Sequence, residues 1–159
     1  MKGDSHIISI LNTLLAGELS ATDQYLIHGE MYADMGLPGL AEHILHESLH
    51  EREHARALIQ RILFLQGTPN LAKRDGLHIG SDVKSMLESD LALEYTVVKS
   101  LKSAIDACEK AQDYVTREML LTQLDDTEMD HAYWLEKQLN LIQLVGLQNY
   151  QQSQMKPTA

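Results

Sequence analysis

Two segments of the chain carry the same motif, Glu51-Arg52-Glu53-His54 and Glu128-Met129-Asp130-His131. A glutamate and a histidine three positions apart fall on one face of a helix, about a turn from each other. Both motifs sit in rows that are otherwise mostly apolar. The first row runs Ile44, Glu47, Glu51, His54, Leu58, Ile62, Leu65, and the second runs Leu121, Leu124, Glu128, His131, Leu135, Leu139, Ile142. An ionisable group at such a position costs several kcal/mol unless something compensates it. Two further carboxylates complete the set. Glu18 lies in the row Ile8, Leu11, Leu15, Glu18, Thr22, Tyr25, and Glu94 in the row Leu87, Leu91, Glu94, Val98, Leu101, Ile105, Cys108. Four carboxylates balance two divalent cations, and neutral imidazoles add no charge. Oxygen and nitrogen donors without a thiolate suit Fe(II) or Mn(II). A lone Glu-x-x-His is ordinarily a solvated face or an ion pair along one helix. Two of them joined by two core glutamates, one contribution per helix, point to a dinuclear metal centre.

Four long helices must position these groups. The first is predicted from about Ser5 to Asp34, ended by Gly36-Leu37-Pro38-Gly39, and the second continues to about Gln66. A stretch from Gly67 to Gly80, with Pro69 and Gly76 inside it, has no helical period. The third helix is predicted from about Ser81 to Ala111 and the fourth from Tyr114 to Val145, where Gly146 stops it before a short amphipathic tail around Leu147-Gln148-Asn149-Tyr150. Short turns make two antiparallel hairpins, and the longer middle segment returns the chain along the bundle. This is the all-α, one-crossover topology of a ferritin-like four-helix bundle with a short C-terminal fifth helix. All six ligand candidates fall near mid-helix, so they should meet at one level.

Composition narrows the class. At 159 residues the chain is expected to form a single domain, residues 1–159. Hydrophobic residues make up 44%, yet no apolar stretch approaches the roughly 18 residues that cross a membrane. The opening Met1-Lys2-Gly3-Asp4 has no apolar run with a cleavage site, so a cytoplasmic protein is expected. Cys108 is the single cysteine, which excludes an internal disulfide and reads as a small core residue. A net charge of −10 disfavours nucleic acid and anionic membranes as partners.

With these motifs the chain resembles the bacterioferritins over essentially its whole length. The resemblance includes Met1-Lys2-Gly3-Asp4, Arg61-Ile62-Leu63-Phe64-Leu65, Ser89-Asp90-Leu91-Ala92-Leu93-Glu94 and Gly146-Leu147-Gln148-Asn149-Tyr150. It implies iron storage and detoxification in a hollow shell of 24 subunits, with a ferroxidase centre oxidising Fe(II) inside each subunit and mineral collecting in the cavity. Glu18, His54 and the bridging Glu51 and Glu128 would hold one iron. Glu94 and His131, with the same bridges, would hold the other. A ferredoxin-type reductant is implied for iron release. The second motif stands one residue later than family spacing, which places a small insertion upstream, near the turn between the third and fourth helices.

The resemblance stops at haem b. Members of this family ligate it with a methionine directly after the first bridging glutamate, and here Arg52 stands there, without a lone pair for iron. Ser48 occupies a variant position a turn earlier. Met31, Met35 and Met86 match no haem motif and read as packing residues. A shell of this chain alone is therefore expected to lack haem, and a second, haem-ligating bacterioferritin subunit is a candidate partner. Tyr25 and Glu47 are candidates for supporting hydrogen bonds around the ligands, with a Tyr–Glu bond envisaged there. His46 and His50 are a candidate inner-surface iron pair, a solvated pair being the plainer reading, and Trp134 reads as packing. Two rival readings are a soluble rubrerythrin-type di-iron oxidase or peroxidase, which would ordinarily carry a further cysteine-rich iron site, and a structural subunit of a mixed cage, which would ordinarily lack ligands.

Overall fold

The computed structural model describes residues 1–157. The helices are α1 (Ser5–Asp34), α2 (Pro38–Phe64), α3 (Val83–Lys110), α4 (Tyr114–Asp125), α5 (Tyr133–Val145) and α6 (Leu147–Ser153), with a π-helical stretch, Asp126–Ala132, joining α4 to α5. The expected fourth helix is thus one rod in three parts, and the fold is the ferritin-like bundle with one crossover and a short last helix. Its ends follow local chemistry. The Asp4 carboxylate accepts from His6 N at 2.7 Å, and Asp82 and Ser85 form a reciprocal cap on α3. Asp113 caps α4 through Thr116 N, and Pro38 sits in the first turn of α2. The turn Met35–Leu37 uses Gly36 at φ 79°, a left-handed conformation that glycine adopts without strain.

Two apolar clusters fill the bundle. One packs Ile7, Leu11, Leu15, Leu58, Ile62, Leu101 and Leu120, with Cys108 among them. The other packs Tyr25, Tyr32, Leu40, Ile44, Met86, Leu87, Leu135 and Tyr150. Met86 is fully buried and Met31 is packed against this second cluster, whereas Met35 is exposed. Tyr150 brings α6 onto the bundle, its hydroxyl donating to Gln138 Oε1 at 2.8 Å inside the core. Among the described residues no helix is long and apolar enough to cross a membrane.

The crossover runs alongside α1 and is tied to it rung by rung. Asn12 donates to the Thr68 carbonyl at 3.1 Å and accepts from Asn70 N at 2.8 Å. Ser20 Oγ accepts from Asp75 N at 2.7 Å, Gln24 Oε1 from His78 N at 3.2 Å, and His28 Nε2 from Gly80 N at 3.1 Å. Arg74 pairs with Asp23 at 3.1 Å. Irregular backbone must place its N–H groups somewhere. Here a polar stripe on α1, stepping by four from Ser20 to Gln24 to His28, receives them. The stripe is anchored in the interior by Asp90, which accepts from Gln24 Nε2 and meets His28 Nδ1, both at 2.8 Å.

The fourth rod departs from its expected seam. Its N-terminal half buries Leu120, Gln123 and Thr127, with Leu121 and Leu124 only partly covered; beyond the motif His131, Leu135, Gln138 and Ile142 are buried. The steps Gln123–Thr127–His131–Leu135 are each four residues. In an α-helix each overshoots a full turn by about 40°, which over three steps would carry the row off the core. The π stretch widens the turn and cancels that drift. The turn between α3 and α4, near which a small insertion is expected, lies upstream of this stretch. That turn, Ala111–Asp113, is tight, with Gln112 at φ 58°.

Candidate metal centre

Between the two apolar clusters lies a charged layer. Glu18 comes from α1, Glu51 and His54 from α2, Glu94 from α3 and His131 from the π stretch, and all five are buried. Glu51 is at the centre. Its Oε2 lies 3.1 Å from His54 Nδ1 and its Oε1 2.6 Å from His131 Nδ1. Glu18 Oε2 approaches His54 Nδ1 at 3.8 Å on one side, and Glu94 Oε1 approaches His131 Nδ1 at 3.6 Å on the other. Two trios result, Glu18–Glu51–His54 and Glu51–Glu94–His131, each offering ligand atoms that all lie within 4.8 Å of one another. Glu51 belongs to both.

Each imidazole turns its other nitrogen toward a carboxylate. His54 Nε2 is hydrogen-bonded to Asp126 Oδ2 at 3.1 Å, and His131 Nε2 lies 2.7 Å from Glu47 Oε2. Such outer carboxylates fix ring orientation and leave Nδ1 for the centre. The Tyr25 hydroxyl donates to Glu94 Oε1. The tyrosine–glutamate bond envisaged from the sequence therefore reaches Glu94, while Glu47 attends His131.

Glu128 stands apart from this group. Its side chain is 41% exposed and pairs with Lys102 Nζ at 2.9 Å. The bridging place expected for it faces the partly solvated rim in this structure, because the π stretch shifts the motif relative to the α-helical spacing from which the expectation was drawn. Thr127 is buried in its stead, donating to the Gln123 carbonyl at 2.8 Å. Asp126, absent from the expected set, takes the contact with His54. Periodicity gave no signal for Asp126, since a local change of helical pitch is invisible to a constant-period reading.

Electrostatics within the layer are those of a site short of positive charge. Burial, followed by the charge of Glu51, pushes the Glu18 carboxyl well above the usual range. The same two causes push Glu94 up to about 7. Burial also opposes charge on Glu51, but its contacts with Glu18, His131 and His54 outweigh it and hold the group ionised. Burial works against the imidazolium of His54 as well, yet Glu18 and Glu51 raise it to about 11; His131 is raised further by Glu47, Glu51 and Glu94. Protons thus stand in for cations.

Several donor atoms here have no hydrogen-bond partner. Glu18 Oε2, Glu94 Oε2 and His131 Nδ1 are all buried and unpartnered, the close approach of Glu51 to His131 lying off the direction that a hydrogen bond requires. An unmet polar atom in a protein interior costs about 1–3 kcal/mol. These atoms converge from α1, α3 and the π stretch on one space, which is the arrangement a pair of divalent cations satisfies. A cleft of about 240 Å³, lined by His50, Glu53, His54, Asp126, Asp130 and His131, leads to it from the surface. A larger cleft of about 780 Å³ between α1 and α3 touches none of these residues.

The Ferritin-like domain family matches residues 8–145 of the chain. The chain belongs to the ferritin family. A bacterial ferritin of Synechocystis is 54% identical over 155 residues, covering 98% of this chain and 99% of the relative. A bacterial ferritin of Pseudomonas aeruginosa is 52% identical over 155 residues, covering 98% and 100%. A bacterioferritin of Mycolicibacterium paratuberculosis is 40% identical over 150 residues, covering 94% of each. The chain is thereby an iron-storage protein of the bacterioferritin-like kind, as the sequence motifs implied.

The remaining candidates sit around this ferritin centre. His46 and His50 are exposed, their rings edge-on at 4.2 Å. Trp134 stacks on His43 with ring centroids 3.7 Å apart. Ser48 is buried and donates to the Thr22 carbonyl at 2.9 Å. Arg52 is exposed beside Leu49, Glu53 and Arg56. The sequence reading overlooked His43, Asp126 and the His28–Asp90 pair, none of which falls in a Glu-x-x-His pattern.

Proposed function

We propose that this chain is the ferroxidase-bearing subunit of an iron-storing shell, with Glu18, Glu51, His54, Glu94 and His131 holding the two Fe(II) ions to be oxidised. The observation that carries this reading is the set of buried, unpartnered donor atoms converging between two apolar clusters. Bound as a pair, two Fe(II) ions each give up one electron to dioxygen or peroxide and become Fe(III). Glu51 lies between both histidines and is suited to bridge. Glu18 and Glu94 supply charge at either side, their second oxygens unengaged. Asp126 holds the outer nitrogen of His54, Glu47 faces that of His131 at 2.7 Å, and Tyr25 holds Glu94. Glu128 joins on loading. Its bond to Lys102 is half-exposed, and such pairs hold by only about 0–1 kcal/mol, so turning inward costs little.

The wider setting follows the same reading. The chain forms one ferritin-like domain over the described residues 1–157, the last two residues of the expected 1–159 lying outside them, and assembles into a 24-subunit cage, alone or with a haem-ligating companion subunit. Arg52 and Ser48 offer haem no ligand, so haem b in a mixed cage comes with the companion's methionine. A lone, buried Cys108 fits a reducing cytoplasm, where a ferredoxin-type donor returns electrons for release.

The test is rapid mixing of Fe(II) and dioxygen with the metal-free assembly, followed by near-ultraviolet absorbance. Glu18→Ala/Glu94→Ala should lose the fast phase while retaining the size of the native assembly, and Glu128→Ala should slow it. A native protein no faster than Glu18→Ala/Glu94→Ala would assign the chain to the structural role in a mixed cage, the reading that the outward-turned Glu128 favours.

A further inference from the structure

The crossover and the metal centre meet on one pair of helices. Gln24, Tyr25 and His28 of α1 and Asp90 and Glu94 of α3 are all buried, and they form two rungs. In one rung Asp90 Oδ1 receives Gln24 Nε2 and His28 Nδ1, both at 2.8 Å. In the other the Tyr25 hydroxyl donates to Glu94 Oε1. Asp90 and Glu94 stand one turn apart on α3, and Gln24 and Tyr25 are neighbours on α1. Among the described residues, every side-chain hydrogen bond between these two helices belongs to one rung or the other. The apolar contacts beside them are non-directional. The rotation of α1 against α3 is therefore set by these few bonds.

Asp90 gathers both ends of this arrangement. His28 Nε2 accepts from Gly80 N–H at 3.1 Å, and a ring nitrogen that accepts carries no hydrogen, so the hydrogen of the ring is on Nδ1 and aimed at Asp90. The Gln24 amide works the same way, accepting from His78 N–H through Oε1 at 3.2 Å and donating to Asp90 through Nε2. Each side chain relays a backbone group of the crossover to one carboxylate oxygen. Asp90 Oδ2, by contrast, is buried without a hydrogen-bond partner. Keeping a carboxylate there costs free energy that a position used only for packing would not require. Its charge also reaches the second rung. Burial, then Glu94, then Asp90 oppose ionisation of Tyr25, which keeps the phenol a donor to Glu94.

We propose that Asp90 is a positioning residue of the dinuclear centre: by clamping Gln24 and His28 it fixes the rotation of α1 against α3 at which Tyr25 orients Glu94, and the same clamp ties the crossover to the site. This role rests on the proposed dinuclear centre, in which Glu94 holds metal. Tyr25 engages Glu94 Oε1 and leaves Oε2 unpartnered. A turned rung takes the Glu94 carboxylate away from Glu51 and His131, the partners with which it offers ligand atoms. Outer groups that orient metal ligands change metal affinity by roughly 10–100-fold when they are removed.

Anaerobic titration of the metal-free assembly with Co(II), followed by visible ligand-field absorption, tests it alongside hydrogen exchange of backbone amides read by mass spectrometry. Asp90→Ala should bind Co(II) at the cluster roughly 10–100-fold more weakly, with a changed spectrum, and should speed exchange in the peptides that hold His78 and Gly80. Asp90→Asn keeps an acceptor oxygen for Gln24 and His28 and should restore the native spectrum and most of the lost affinity. Ser20→Ala controls for loosening alone, since it removes the acceptor of Asp75 N–H and leaves Asp90 untouched. It should speed exchange in the crossover while Co(II) affinity and spectrum stay native. Native affinity and spectrum in Asp90→Ala, or equal losses in Ser20→Ala and Asp90→Ala, would overturn the proposal. Should Asp90→Ala not assemble, Gln24→Leu, which removes one of the two bonds, should shift the spectrum in its place, and an unchanged spectrum there would overturn it equally. Glu18→Ala/Glu94→Ala keeps two failures apart. Co(II) absorption that survives in that variant would count against the cluster, whereas absorption that depends on Glu18 and Glu94 but not on Asp90 would count against the positioning role alone.

Discussion

Metal loading of this centre should expel a countable number of protons. The metal-free layer keeps its charges in balance with hydrogen ions. Burial and then Glu51 raise the Glu18 carboxyl toward its protonated form; Glu94, at about 7, is half protonated at pH 7. His54, at about 11, and His131, raised further, are both imidazolium, because the carboxylates around them outweigh the burial that opposes their charge. A divalent ion requires ionised carboxylates and neutral imidazoles. Filling the pair therefore releases one proton from each histidine and half from Glu94, about 2.5 per subunit at pH 7, and whatever proton Glu18 holds adds to that. The number should fall by about 0.8 between pH 6 and pH 8, as Glu94 titrates. Because the metal-free state binds more protons, acid weakens loading, and the apparent constant for the pair should rise at least about two powers of ten per pH unit near neutrality. An anaerobic titration with Co(II) in weakly buffered indicator dye, or on a pH-stat, measures the release. Fewer than about one proton per subunit would refute both the protonated resting layer and the ligand set.

Stability without metal should show the reverse pH profile. Glu94 is raised above its unfolded value, so its contribution is complete below about pH 4.5 and is lost as pH rises through about 7, at most about 3 kcal/mol; His54 adds a further loss between about 6.5 and 11. Urea midpoints of the metal-free protein should fall from pH 5 to pH 8, whereas a midpoint that rises would contradict this sign. His28→Leu should cost about 2–4 kcal/mol, because it leaves buried Asp90 with Gln24 alone as partner and takes the acceptor from Gly80 N–H. His28→Leu/Asp90→Leu should recover part of that loss in the same denaturation assay, and equal or greater damage in the double variant would show that the pair is not the source.

The first and second helices were legible because their rows keep one period. In α2 every expected core position, from Ile44 through Glu47, Glu51, His54, Leu58 and Ile62 to Leu65, is buried. Glu18 and Glu94 were likewise readable as charges in apolar rows, and chain punctuation alone located the turns and the crossover. Where the period changes, that method has nothing to follow. The row Leu121, Leu124, Glu128 assumed α-helical pitch to the end, and the π stretch instead turned Leu120, Gln123 and Thr127 inward and left Glu128 with Lys102.

What the sequence by itself determined is the inventory: four helices, the residue types of a dinuclear centre, and the heights at which they meet. These follow from spacing along one chain, and spacing survives any rotation of a helix about its axis. What only the tertiary structure decided is which atoms face one another. The pairing of His131 with Glu47, of His54 with Asp126 and of Tyr25 with Glu94 joins residues from 69 to 84 positions apart. Those contacts depend on the relative rotation of four packed rods and on one local change of pitch, and neither is a property of any single helix's sequence.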